Sequence, residues 1–282
     1  MEVDSIMNDL SEEKLNEVHE MCRRMRIDAL DMALTSGLRG AHLSGSLSCI
    51  EIYAVLYKLI LKYKLDDRLW DGRDRMIVGK EHARLAEFPA MAEMGFFPKE
   101  ELCHFEADNR MLVGHPRNLN IGLEYSSCSL GMALSFAVGK AIYAKSSGKE
   151  YRVFVILGDA ECGEGSIWEA IMSAAQYKLD NLTLIIDRNY LSVDGNTEEL
   201  MAQRNMEDKL ISFGWAADTI DGHNVNDLYS HLNKTHTGMP YAIIAETIKG
   251  KGVSFMENKK EWHQAVLTLE QHKLASEEIL GE

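Results

Sequence analysis

From residue 12 to 36 apolar side chains recur at helical spacing (Leu15, Val18, Met21, Cys22, Met25, Ile27, Leu30, Ala33, Leu34), and the pattern stops at Gly37. That predicts one long helix with a single apolar stripe. After "GAHLSGS" a second helical stretch runs from about Leu47 to Tyr63, with the serines as its expected N-caps. The middle of the chain changes character. "YRVFVILGD" (151–159), "NLTLIIDRN" (181–189) and "MPYAIIAET" (239–247) are short β-rich runs closed by polar residues. Between the first two lies "SIWEAIMSAAQYK", one helix long, with Trp168, Ile171 and Met172 read as its core face. Strand, helix, strand in that space is a βαβ unit, so the expected fold class is α/β, a parallel sheet flanked by helices.

The 282 residues, 46% of them hydrophobic, suit one large α/β domain or two small ones. With no internal repeat or low-complexity linker, a single domain over 1–282 is expected, with 1–12 as a flexible N-terminal arm. The start, "MEVDSIMNDLSEEKLNEVHE", lacks the basic-then-apolar layout of an export signal, and no apolar run reaches membrane-spanning length. Acids outnumber bases 44 to 30, a formal net charge of −14, and no Lys/Arg cluster offers a face for nucleic acid. The expectation is a soluble cytoplasmic protein with neither nucleic-acid nor membrane partners. Cys22, Cys49, Cys103, Cys128 and Cys162 form no C-x-x-C pair and no zinc spacing, and are read as buried thiols, Cys128 and Cys162 near a ligand.

In a parallel sheet, ligands bind beyond the carboxyl ends of the strands. Asp159 and Asn189 stand at two such ends and can be neighbours in space. A carboxylate, an amide oxygen and turn carbonyls form a hard-oxygen set suited to Mg²⁺ with phosphate oxygens and water. Glycines around Asp159 admit a bulky anion, and the helix starting near Ser166 points its amides the same way. Two readings of this stretch stand side by side: a metal-diphosphate site, or an aspartate that only caps a βα turn. Neither a P-loop nor a dinucleotide fingerprint is present in the sequence. Of the ten histidines, four lie in turn contexts: "GAHLSG" (His42), "GKEHARL" (His82), "VGHPRN" (His115) and "NKKEWHQA" (His263). Together beside such a site they point to donors for phosphate or sugar hydroxyls and to proton carriers near neutral pH. His19, His104, His231, His236 and His272 carry no motif and are assigned no role.

"GDAECGEG" followed by "DRNYLSVDG" resembles the thiamine-diphosphate motif, and the flanking segments resemble the N-terminal half of transketolase. The resemblance runs from about Asp28 to His263. It takes in "GAHLSGSLSCIEIYAVLY", "DRMIVGKEHA", "EMGFFP", "VGHP", "SLGMALSFAVGKA", "DGHNVNDL" and "KGKGVSFMENKKEWH". The early "SGSLS" stretch and the last of these phrases are similar to transketolases divided into two polypeptides.

The resemblance implies a thiamine-diphosphate-binding fold and a two-carbon ketol transfer from a ketose to an aldose. By position it implies that Asp159, Asn189 and the Leu191 carbonyl hold the divalent metal, Mg²⁺ or Ca²⁺, that bridges the diphosphate. The Ala160 N–H, His82 and His263 are placed on the diphosphate, and Leu130 beside the aminopyrimidine. His42, His115 and His263 face the sugar, His115 toward the donor's terminal hydroxyl. Glu164 matches an acid linking active sites at the subunit interface. In the family the glutamate that activates the aminopyrimidine belongs to a separate pyrimidine-binding domain. A second polypeptide is therefore expected to supply it, with most contacts to the sugar or sugar phosphate, in an assembly of two chains of each kind.

Departures from the family pattern are Ala160 for the second glycine of "GDG", Cys128 for a glycine near the cofactor, "WHQAVL" for "WHGKAP", and "GKEHARLAEF" around His82. The last brings Arg84 and Glu87 into the expected neighbourhood. They either adapt the pocket to a non-standard sugar, such as one lacking the usual phosphate, or are neutral changes in tolerant loops. Two alternatives accompany the transketolase reading. One is a subunit of a 2-oxo acid dehydrogenase or of a deoxyxylulose-phosphate synthase, against which the histidines argue. The other is a non-catalytic regulatory homologue, against which the presence of both Asp159 and Asn189 argues. The tail from Glu270 is read as a short charged helix or a partner contact.

Overall fold

The computed structural model describes residues 9–115, 119–125 and 129–281. The first helix, α1 (Glu12–Thr35), follows the predicted stripe, and the Ser11 hydroxyl accepts from the Lys14 N–H at its start. The expected flexible arm is already tied at its end, since the Leu10 N–H donates to Asn226 Oδ1 at 3.2 Å. The second predicted helix starts earlier and is broken in two: α2 (Leu43–Leu47) and α3 (Ile50–Val55), the latter running into a π-helical turn at Leu56–Ile60. The serines do not cap it. Ser46 donates back to the carbonyl of His42 at 2.9 Å, the local back-bonding that bends a helix, and the Ser48 hydroxyl turns inward to Asp187.

The remaining elements are β1 (Arg75–Val78), α4 (Arg84–Glu93), α5 (Ala133–Ser146), β2 (Val153–Gly158), α6 (Gly165–Gln176), β3 (Leu182–Arg188), α7 (Thr197–Leu200), α8 (Met206–Ser212), β4 (Ala216–Asp221), α9 (Val225–Leu232), β5 (Tyr241–Glu246) and α10 (Leu269–Leu280). The five strands pair in the order β1-β2-β3-β5-β4, every pair parallel. Strand side chains alternate between two cores, as a period of two requires. Phe154, Ile156, Ile185 and Ile243 join the core under α1, α3, α4 and α9. Val153, Val155, Leu184, Ile186 and Ile244 join the one under α5, α6 and α8.

The core stripe of α6 is Ile167, Ala170, Ile171 and Ala174, spaced i, i+3, i+4, i+7. Met172 therefore falls off the stripe and is 57% exposed, correcting its assignment to the core, while Trp168 is half-buried and donates to the Cys162 carbonyl at 2.9 Å. Cys22, Cys49 and Cys162 are buried, whereas Cys103 is exposed, and Cys128 lies outside the described residues. The tail is the helix α10, opened by a Thr268–Gln271 capping box and packed on α1, with His272 Nε2 2.7 Å from Asp31 Oδ1. No helix among the described residues is long and apolar enough to cross a membrane.

Candidate functional site

Four strands deliver residues from their carboxyl ends to one cavity of about 320 Å³. Gly79 and Lys80 follow β1, Asp159 follows β2, Asn189 follows β3, and Lys249 lies just past β5. The register keeps these ends level: Val78 pairs with Ile156, Gly158 with Asp187 and Arg188 with Glu246. Neighbouring strands thus bring Asp159 and Asn189 to one wall, as the sequence predicts.

Asp159 caps the turn that follows β2, one of the two readings proposed for it, and it also lines the cavity. Its Oδ1 accepts from the Ala160 N–H at 2.8 Å, capping the 3₁₀ turn Ala160–Gly163. Its Oδ2 accepts from the Tyr190 N–H at 2.7 Å and from Arg188 Nη1 at 3.3 Å. Asn189 Oδ1 accepts from the Leu191 N–H at 3.1 Å, and the Leu191 carbonyl accepts from Lys249 Nζ at 2.8 Å. Asp159 Oδ2 takes the Thr197 hydroxyl as well, at 3.5 Å, but Asp159 Oδ1, Asn189 Oδ1 and the Leu191 carbonyl each accept a single bond, so these three oxygens keep acceptor capacity. Burial first, and then the neighbouring Asp187 carboxylate, push the Asp159 carboxyl up. An adjacent cation reverses both effects, so one carboxylate with an amide and a carbonyl fits a hard divalent ion. Among the described residues no cluster of three or more His, Cys, Asp or Glu offers an alternative metal site.

Behind this wall sits a fully buried hub that sequence reading missed. Asp187 pairs with the Lys80 ammonium, takes the Ser48 hydroxyl at 2.7 Å and Asn189 Nδ2 at 3.1 Å, and also accepts from Thr247. Burial opposes its charge, but Lys80 and these donors outweigh it and hold the carboxyl below its usual value. The signals were "VGK" and "IDRN", apolar runs ending in a charge as "VILGD" does. Lys249, in "IKGKG", also escaped notice. Its Nζ stands 2.9 Å from His263 Nδ1, and burial, followed by Lys80, lowers its pKa to about 8.

The four predicted histidines converge. The ring centroids of His42, His82 and His263 form a triangle with sides of 5.2, 5.4 and 5.2 Å, and His115 stands 6.4 Å from His42. A two-way backbone bridge between Ala41 and Ala265 carries the His263 loop to His42. Gly40 permits it: φ is +67°, and a Cβ there would lie 2.9 Å from the Ala265 carbonyl oxygen. Burial lowers the pKa of His42 to about 4, with His115 and Lys249 adding to it. Burial and then Lys249 bring His263 to about 3, and burial with Lys80 holds His82 well below the usual imidazole value. These three rings are neutral at pH 7.

Leu130 lines the cavity and is 44% exposed, anchored through Gly131, whose N–H donates to Glu161 Oε1 at 3.0 Å. Glu161, buried and unnoticed in the sequence, lines the cavity too, and burial raises its pKa to about 7 against the Gly131 and Gly158 N–H groups. Glu164 is exposed at the start of α6, outside the cavity. The N-terminus of α6 does not line the cavity either, because the 3₁₀ turn after Asp159 intervenes. Cys162 is buried away from it, donating to the Gly158 carbonyl. Arg84 and Glu87 pair with each other in the core and do not line the cavity. A side cavity of about 160 Å³ shares His42, His82 and His115 and continues to Arg39, Glu106 and Gln264. Gln264, one of the departures, thus lines a branch of the site.

Residues 16–281 match the family described as transketolase, thiamine diphosphate binding domain. The chain is 37% identical over 244 residues to one polypeptide of the apulose-4-phosphate transketolase from Phocaeicola vulgatus, covering 86% of each. It is 37% identical over 241 residues to a 6-deoxy-6-sulfo-D-fructose transketolase subunit from a Clostridium species, covering 84% of this chain and 88% of that one. Its backbone superposes on the transketolase of Campylobacter jejuni with a TM-score of 0.84 at 26% identity, covering 94% of this chain. It spans 43% of that longer protein.

Proposed function

Because the chain belongs to the transketolase family through its thiamine-diphosphate-binding domain, we propose that it is the diphosphate-binding subunit of a split, Mg²⁺-dependent transketolase. It transfers a two-carbon ketol unit from a ketose to an aldose and works with a second polypeptide carrying the pyrimidine-binding and C-terminal domains. The observation that carries this reading is the convergence of the Asp159–Asn189–Leu191 oxygen set with four histidines in one cavity. The naming of the two relatives as transketolase subunits supports the partner, and an assembly of two chains of each kind in the cytoplasm belongs to the same proposal.

When bound, thiamine diphosphate supplies the electron sink for cleaving and re-forming the carbon–carbon bond. Asp159, Asn189 and the Leu191 carbonyl would hold Mg²⁺ against its diphosphate, with the Ala160 N–H, His82 and Lys249 on the same wall and Leu130 beside the aminopyrimidine.

The protein's own part is orientation and proton handling. A neutral imidazole presents one donor and one acceptor, which suits sugar hydroxyls. An ammonium only donates, so His263 Nδ1 accepts from Lys249 and its hydrogen sits on Nε2, a donor toward bound anion or hydroxyl. His42 and His115 line the cavity on the side-pocket flank and are assigned to the sugar hydroxyls, His115 at the donor's end. Glu164 is assigned to the contact between subunits, consistent with its exposure outside the cavity.

The relatives named for apulose phosphate and a sulfosugar support a modified or unusual sugar as substrate, and the Gln264-lined branch offers the room. The test is a ketol-transfer assay of this chain alone and with its partner, using thiamine diphosphate, Mg²⁺ and a panel of ketoses and aldoses. Transfer in the mixture alone is expected. Carbon dioxide release from 2-oxo acids in its place would overturn the reading in favour of a dehydrogenase.

A further inference from the structure

Outside the cavity, a largely buried polar chain runs from α1 to the turn that carries Lys249. Arg26 Nη2 donates to Glu51 Oε1 at 2.6 Å, and His223 Nδ1 lies 3.0 Å from Glu51 Oε2. On the other edge of the ring, His223 Nε2 receives the Ile248 N–H at 2.9 Å. A backbone N–H can only donate, so Nε2 is the bare nitrogen and Nδ1 carries the hydrogen, donating to Glu51. Burial alone would raise the Glu51 carboxyl, but Arg26 and His223 overcome it and hold its pKa at about 2, so the acceptor is charged at neutral pH. The chain therefore has one direction and one tautomer.

What it grips is the segment between β5 and the His263 loop. Within residues 247–251 Lys249 alone lines the cavity, and its neighbours on both sides are held by the scaffold. Thr247 bonds Asp187, and Lys249 Nζ reaches the Leu191 carbonyl and His263 Nδ1. Ile248 is held by His223, the Gly250 N–H donates to the Ser44 carbonyl at 2.9 Å, and the Lys251 carbonyl accepts from Arg26 Nε at 3.2 Å. The Ile248 bond is thus the scaffold contact immediately before the lysine that meets two of the site's residues.

We infer that His223, oriented by Glu51, is a positioning residue for Lys249: it fixes the Ile248 peptide so that the ammonium meets the Leu191 carbonyl and His263, and so sets the affinity of the cavity for the metal-diphosphate group. The inference rests on reading the cavity as the thiamine-diphosphate site. His223 touches neither cofactor nor sugar, and its effect passes through Lys249.

The experiment titrates thiamine diphosphate with Mg²⁺ into the assembled two-polypeptide complex by calorimetry, for wild type, H223A, K249A and H223A/K249A, with thermal melts as the control for folding. Loss of one positioning hydrogen bond is expected to weaken binding on the order of five- to tenfold in H223A. In the K249A background the same change is expected to have almost no further effect, because contacts acting through one residue do not add. Multiplicative losses in the double variant, or unchanged binding in H223A, would overturn the inference while leaving the site assignment standing. Failure of the wild-type complex to bind the cofactor would overturn both. If H223A does not fold, H223Q keeps an acceptor for Ile248 while H223N keeps only the donor to Glu51. Tighter binding by H223Q supports the inference, and equal binding by the two overturns it.

Discussion

Asn189 Nδ2 donates to Asp187 Oδ2 at 3.1 Å, so the amide oxygen of Asn189 is turned away from the hub and toward the Leu191 N–H on the cavity wall. A buried carboxylate thereby decides which end of an amide faces the site, as second-layer groups do around metals.

Asp187 also neutralises Lys80, and both side chains are buried. D187N keeps the shape but strands an ammonium in the core, and removing one member of such a pair costs about 3–5 kcal/mol. Urea denaturation should register a loss of that size. The double change K80M/D187L should recover much of the stability without recovering cofactor binding, because Asn189 has then lost its orienting partner.

Asp159 contributes the one carboxylate of the expected metal set. D159N leaves a side chain of the same size, and its amide oxygen can still receive the Ala160 or Tyr190 N–H. Thiamine diphosphate affinity should fall at least about tenfold, and the Mg²⁺ concentration needed for half-saturation should rise, as read by calorimetry. Retention of wild-type Mg²⁺ dependence would remove Asp159 from the metal set.

Gly79 lies where β1 meets the cavity, and a Cβ there would sit 2.5 Å from Glu161 Oε1 and from Leu157 Cδ2. G79A should displace Glu161 from its bonds to the Gly131 and Gly158 N–H groups and cost about 1–3 kcal/mol as overpacking. A thermal melt of G79A against G79A/E161A checks it, since removing the carboxylate should return part of the loss.

Acid should weaken the fold in two windows. His42 and His263 have pKa values near 4 and 3 against 6.5 unfolded, so as pH falls below about 6.5 the unfolded chain takes up protons that the folded one refuses. Stability is therefore complete above that pH and declines toward 4. Glu51 has its pKa depressed to about 2 from 4.5, so its contribution is present above about 4.5 and disappears as pH falls through 2. That contribution is on the order of 3 kcal/mol. Melts from pH 7 to 2 should show the first decline flattened in H42N and the second in E51Q.

The central strands were legible because strands buried on both faces read as unbroken apolar runs, and their ends marked Asp159 and Asn189. The edge strands were not. β1 has four residues, and β4, "AADTID", is mostly half-exposed and carries no apolar run. The histidines could be picked out by their turn contexts, whereas Lys80, Asp187 and Lys249 are assigned no role by the sequence. What makes them part of the site is pairing across 107 residues in one case and 58 in the other, which nothing in local pattern encodes. Met172 was misread for a simpler reason: one step of about 100° takes a residue off the stripe its neighbour occupies.

Ala160 sits in the 3₁₀ turn after Asp159 and is not among the residues with positive φ. The backbone there makes no demand that only glycine can meet, so alanine is accommodated without strain. Recognising the expected diphosphate loop by a glycine after the aspartate is therefore a spelling convention. The constraint that survives is an N–H on a tight right-handed turn, and sequences that satisfy it with alanine are members of the same vocabulary.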